Sequence, residues 1–154
     1  MRKMIAAALA LTVPALLHAQ QAPALSDLSY EKPMAGAWTY SPTSDGSLAT
    51  FVDAQSQPQV TIHCTRATRR VTISKPVAAT SPFLWIWTSA ETKSVPAIYD
   101  AANARVTAEF APFDPMLDAI ASSRGRIGFS TSGLAATIVP PWGEVGRVIE
   151  DCRV

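Results

Sequence analysis

Histidine, cysteine and unbalanced charge are what this 154-residue chain has least of. It carries two histidines and two cysteines, and its thirteen basic residues nearly cancel its twelve acidic ones. A zinc centre therefore has few ligands to draw on. His63 and Cys64 are adjacent in an alternating segment, so they point to opposite faces of a strand and cannot share an ion. No G-x-S-x-G turn is present to raise a nucleophilic serine, and no glycine-rich loop to cradle a phosphate. A charge near zero offers no pull towards nucleic acid. The longest apolar run, Ile5 to Leu17, is too short to cross a bilayer and is broken by Pro14. The expectation is a chain with no metal, no cofactor, no nucleic-acid partner and no catalytic set, hence not an enzyme.

What is present begins with "MRKMIAAALALTVPALLHAQ". Arg2 and Lys3 precede the apolar run, and Leu17-His18-Ala19 supplies a small-residue ending, the layout of a cleavable export signal. Residues 1–19 are read as the signal, with cleavage after Ala19, Ala22 or Ala24. Removing Arg2 and Lys3 from the thirteen basic residues leaves eleven against twelve acidic ones, and His18 departs too. Residues 20–35, with Pro23 and Pro33, read as a flexible leader. Residues 36–154 read as a single β-rich domain, periplasmic or secreted and without a transmembrane segment in the mature chain.

Outside the reducing cytosol, two cysteines in a small domain are expected to oxidise together. In "PQVTIHCT", alternation sets Val60, Ile62 and Cys64 on one strand face. In "PPWGEVGRVIEDCRV", Val145, Val148, Ile149 and Cys152 fall on one helical face, with Pro141 suited to the first turn. Both cysteines thus point inward, and a Cys64–Cys152 disulfide would tie a C-terminal helix over a core strand.

Between them run short segments separated by turns. "GAWTY" and "SLATFV" flank Asp45-Gly46 and predict a hairpin. "RRVTIS" turns Val71 and Ile73 inward, and "RVTAEF" turns Val106, Ala108 and Phe110 to one side. "SVPAIY" contains Pro96 and reads as an edge or irregular strand. "RIGFS" and "LAATIV" add two more. "FLWIWTS" is apolar on both faces and predicts a central strand covered on each side, with Phe83, Trp85 and Trp87 as a buried aromatic stripe. "DPMLDAIASSRG" predicts a helix capped by Asp114, opened by Pro115 and ended by Gly125, with Leu117, Ile120 and Ala121 as its apolar face. The total is a mainly β chain: an antiparallel sandwich or partly open barrel of about eight strands with two short helices, one of them C-terminal.

Few residues mark a site. His63 reads as a solvated strand residue. Asp114 and Asp118 are explained by the cap and the helix dipole better than by paired acid-base work. Arg66, Arg69 and Arg70 form one basic cluster, and Arg124 and Arg126 another. Guanidinium forks suit carboxylates and phosphates, so the five would make an anion- or partner-binding surface if their loops met. Otherwise they pair with Glu144, Glu150 and Asp151.

One stretch resembles a known group. Asp118, Ile120-Ala121, Ser123-Arg124-Gly125-Arg126, Pro141-Trp142, Glu144 and Arg147-Val148-Ile149-Glu150-Asp151-Cys152-Arg153 resemble small exported proteins of alphaproteobacteria. The layout is also distantly similar to the invasion-associated locus B family of exported β-rich domains. That resemblance implies export and fold, and transfers no activity. The functional expectation is a monomeric, disulfide-stapled binding or accessory protein of the cell envelope, its partner an envelope protein or an anionic ligand. The alternatives are an inhibitor presenting "SPTSDGS" to an enzyme, or a small periplasmic hydrolase with a site assembled from scattered Ser, Asp and Arg.

Overall fold

The computed structural model describes residues 27–132 and 134–154, so the expected signal and the start of the leader lie outside the described residues. Among the described residues ten strands form two sheets. The larger contains β1 (Gly36–Pro42), β2 (Gly46–Asp53), β3 (Pro58–Thr65), β4 (Arg70–Pro76), β8 (Arg105–Phe110) and β7 (Ile98–Asp100), in that spatial order. The smaller is ordered β10 (Thr137–Val139), β9 (Ile127–Ser130), β5 (Phe83–Trp87), β6 (Thr92–Pro96). Every pairing is antiparallel. Ten strands rather than about eight arise partly because "SVPAIY" divides. Pro96 has no N–H to continue a ladder. The chain therefore leaves the smaller sheet at β6, passes through Ala97, and enters the larger as the edge strand β7.

Alternation places Ala49, Phe51, Val60, Ile62, Cys64, Val71, Ile73, Val106, Ala108 and Phe110 on the inner face of the larger sheet, all buried. Leu84, Ile86 and Phe129 oppose them from the smaller sheet, with no exposed area. Fully burying one such side chain stabilises by about 1.5–3 kcal/mol, so the sandwich interior is where the fold is held.

Among the described residues two helices complete the core. In α1 (Pro115–Ala121) the Asp114 carboxylate accepts from the Met116 N–H at 2.9 Å and Pro115 occupies the first turn, as expected. The helix ends earlier than expected. The Ser122 N–H makes the last ordinary helical bond, to the Asp118 carbonyl at 2.9 Å. The Ser122 hydroxyl adds a second bond there at 2.7 Å, and the Ser123 N–H tightens onto the Ile120 carbonyl at 3.3 Å, closing the helix before Gly125 is reached. Gly125 adopts its left-handed conformation (φ 78°) in the turn to β9 instead. The buried face is Met116, Leu117, Ala119 and Ile120, whereas Ala121 is exposed. In α2 (Gly143–Asp151) Val145, Val148 and Ile149 pack on the inner face of β1–β3. Pro141 sits ahead of the cap residue Trp142 rather than within the first turn.

The described part of the leader lies against the outer face of the smaller sheet. Leu28 is buried over Gly128, where a Cβ would stand 2.3 Å from the Leu28 Cδ1 atom. The Met34 N–H donates to the Ile138 carbonyl at 2.9 Å.

Candidate functional site

The disulfide is formed. Cys64 on β3 and Cys152 at the C-terminal cap of α2 are bonded with their Cα atoms 5.5 Å apart, and both are fully buried. The residues that carried the resemblance surround it as a clamp. Arg147 lies over the Tyr40 ring at 3.7 Å, and the Tyr40 hydroxyl donates to the Asp151 carboxylate at 2.8 Å. Arg153 donates to Asp118 at 2.7 Å, to Glu150 at 2.9 Å and to the Pro112 carbonyl at 2.8 Å. This holds the end of α2 to α1, and the two carboxylates keep the Arg153 guanidinium protonated above its ordinary range. Ser123, Arg124, Gly125 and Arg126 form a second clasp. The Ser123 hydroxyl receives the Ser89 N–H at 3.0 Å and donates to the Arg126 carbonyl at 2.6 Å, and the Arg124 N–H donates to the Ser89 hydroxyl at 2.8 Å.

The five arginines divide accordingly. Arg66, Arg69 and Arg70 stand together at the β3–β4 turn beside the disulfide. Arg69, in a left-handed conformation (φ 52°), donates to the Arg153 carbonyl at 2.6 Å and faces the Phe113 ring. Arg70 pairs with Glu109 at 3.7 Å, not with Glu144, Glu150 or Asp151. Arg126 donates to the carbonyls of Leu28 and Ser29, pinning the N-terminal segment. Among the described residues no hydrogen bond or ion pair joins the two groups. Of the first group Arg70 alone has an ion pair among the described residues, with Glu109, while the neighbouring Asp118 and Glu150 carboxylates are taken by Arg153.

The aromatic stripe differs from expectation. β5 is central in its sheet, and Leu84 and Ile86 carry its buried face. Phe83, Trp85 and Trp87 face outward: Phe83 is 43% exposed and the two tryptophans are half-buried. Among the described residues no helix covers them. The neighbouring cover is the short stretch at Leu28. The "SPTSDGS" turn is tied down, with the Asp45 carbonyl receiving the Arg66 N–H at 2.8 Å and its carboxylate pairing with His63 at 3.2 Å. His63 is accordingly an outward strand residue.

Two cations were missed by the sequence reasoning. Lys75 continues the inward alternation of Val71 and Ile73 and is only 4% exposed. Its Nζ donates to the Phe129 carbonyl at 3.3 Å, and burial depresses its pKa to about 8. Arg105 lies half-buried on the opposite, outer face of the larger sheet. There it donates to the Thr61 hydroxyl at 3.0 Å and to the Ser74 carbonyl and hydroxyl, both at 3.3 Å. Thr61 and Ser74 share a hydrogen bond of 2.6 Å. Burial alone lowers the Arg105 pKa, and among the described residues no carboxylate pairs with it. A detectable signal existed for Lys75, the same period that placed Ile73. None existed for Arg105, because its isolation depends on where distant carboxylates turn.

The setting of Arg105 is a continuous rung of side chains. Thr39 pairs with Thr50, Thr50 with Thr61, Thr61 with Ser74, Ser74 with Thr107, and Thr107 with Ile98. No outward side chain on these six strands is buried, so the face is open. At its β7 end an open groove of about 490 Å³ is lined by Thr72, Pro96, Ala97, Ile98, Asp100, Thr107 and Glu109. Among the described residues no group of His, Cys, Asp and Glu could hold a metal ion, and no helix is long and apolar enough to cross a membrane. Compared with known proteins, the chain matches no family model, no curated protein and no solved structure.

Proposed function

We propose that this chain is an exported, disulfide-stapled binding or accessory protein of the cell envelope, working through the open face of its larger sheet. The observation that carries the proposal is the buried Cys64–Cys152 bridge. A bridge of this kind persists in an oxidising compartment and is rare in the cytosol. The charged, apolar and small-residue order of the first nineteen residues supports the same destination. So does the C-terminal resemblance to small exported proteins. Asp118, Ser123, Arg126, Asp151 and Arg153 bind the chain to itself, which favours the hydroxyl-lined sheet face over the arginine clusters as the working surface. The inhibitor alternative draws less support, because the "SPTSDGS" turn is fastened to its neighbours rather than presented. The test is fractionation of the tagged full-length chain followed by non-reducing peptide mapping. Material outside the cytosol, starting between Gln20 and Leu25 and with the Cys64 and Cys152 peptides joined, is expected. Full-length cytosolic protein with two free thiols would overturn the proposal.

A further inference from the structure

We propose that Arg105 and the hydroxyl rung around it bind an acidic polyhydroxylated chain, a saccharide bearing carboxylates. Threonine is favoured on any half-exposed strand, so the threonines alone call for no ligand. The arginine is a different matter. A guanidinium withdrawn from water loses solvation that a carboxylate ordinarily restores. The other cationic side chains on this face have carboxylate partners: Arg70 with Glu109 at 3.7 Å and His63 with Asp45 at 3.2 Å. Asp100 stands directly across the strand pair from Arg105. Its carboxylate nevertheless turns away and caps its own turn, accepting from the Ala102 N–H at 2.9 Å and the Asn103 amide at 2.5 Å. Arg105 is instead held flat across the sheet by neutral oxygens of Thr61 and Ser74, with the rest of its fork free to receive an oxyanion.

The surroundings choose the class of ligand. Strands stand about 4.8 Å apart, so the rung from Thr39 to Ile98 extends over about 24 Å, long enough for a chain and not merely an ion. Hydroxyls both donate and accept, which matches the hydroxyls of a sugar. The groove at the β7 end adds an apolar wall of Pro96, Ala97 and Ile98, the last 79% exposed, on which the C–H face of a ring can rest; the two carboxylates of its lining are engaged, Glu109 by Arg70 and Asp100 by its own turn. Its volume lies within the usual range for a small-molecule site. Among the described residues Arg105 is the one cation on this sheet face without a carboxylate partner, and on a chain of nearly neutral charge that suits sparse carboxylates rather than a polyphosphate backbone.

The inference deepens the binding-protein reading above and rests on it. The experiment is calorimetric titration of the oxidised mature protein at low salt with trigalacturonate, with the corresponding neutral galactose trisaccharide and with inorganic sulfate. Trigalacturonate is expected to bind at least tenfold more tightly than the neutral sugar. Arg105→Gln should abolish that difference while leaving the thermal midpoint near its original value. Thr50→Val, which leaves the arginine network intact, should weaken both sugars several-fold without changing their ratio. Should Arg105→Gln fail to fold, Arg105→Lys decides, since it keeps charge but loses the fork and should lower trigalacturonate affinity several-fold. Equal binding of the two sugars, indifference to the arginine substitution, or sulfate binding as tightly as trigalacturonate would overturn the inference. Export and oxidation are measured separately by fractionation and mapping, so failure to bind sugar leaves that reading standing.

Discussion

Replacing Lys75 by methionine should make the protein more stable at neutral pH. The side chain is 4% exposed, faces the interior between the two sheets, and has the Phe129 carbonyl at 3.3 Å as its hydrogen-bond partner. Its pKa falls from 10.5 to about 8 because burial penalises the ammonium form. The unfolded chain therefore binds more protons between these values, and stability rises with pH across that window. Below pH 8 the penalty is complete. At 1.36 kcal/mol per pKa unit, the shift corresponds to about 3 kcal/mol. Methionine fills a similar volume without charge but forfeits the bond to Phe129, worth about 1 kcal/mol. The net gain expected at pH 7 is about 2 kcal/mol, shrinking or reversing above pH 10. Urea denaturation at half-unit steps from pH 6.5 to 10.5 would show wild-type stability climbing through the upper half of the range while that of Lys75→Met stays flat there. Parallel curves, or a variant less stable than wild type at pH 7, would refute the argument that the ammonium is uncompensated.

Three further outcomes follow from named contacts. Reducing the Cys64–Cys152 bridge, or replacing both cysteines by alanine, should cost about 4–5 kcal/mol by the chain-entropy relation for a separation of 88 residues, read as a lower urea midpoint. Protection of α2 amides should fall first, since a nine-residue helix is marginal by itself. Tyr40→Phe removes the donor to Asp151 while keeping the ring under Arg147, so it should cost about 1 kcal/mol in the same assay, and no loss would mean the clamp is idle. Gly128→Ala places a methyl 2.3 Å from Leu28 Cδ1 and should unseat that side chain, raising protease cleavage near Leu28 and altering tryptophan fluorescence at Trp87. Unchanged cleavage would show that Leu28 contributes nothing to holding the segment.

Much of the architecture was legible where one period or one cap decided it. The two-residue alternation of "PQVTIHCT" and the 3.6-residue face of "EVGRVIEDC" turned both cysteines inward, and the sulfurs meet. Asp114-Pro115 announced the start of α1. The errors lie where a local signal competed with a longer-range one. Gly125 was a credible helix stop, but the Ser122 hydroxyl and the Ser123 N–H close on the Asp118 and Ile120 carbonyls first. "SVPAIY" was rightly read as edge-like, yet nothing in six residues shows that its two ends serve different sheets. The two arginine clusters stay apart among the described residues, Arg69 and Arg126 each finding backbone carbonyls that the sequence cannot place beside them.

By itself the sequence determined the face to which each strand residue turns, the mainly β class, and the inward aim of both cysteines, because side-chain period is a local property of the backbone. Only the tertiary structure decided what stands opposite each face. It put Lys75 against a lone carbonyl, left Phe83 and the two tryptophans partly open to solvent, turned Asp100 back on its own loop, and left Arg105 among hydroxyls without a carboxylate. Such partnerships join residues tens of positions apart, and they are set by strand order and register across the whole sheet.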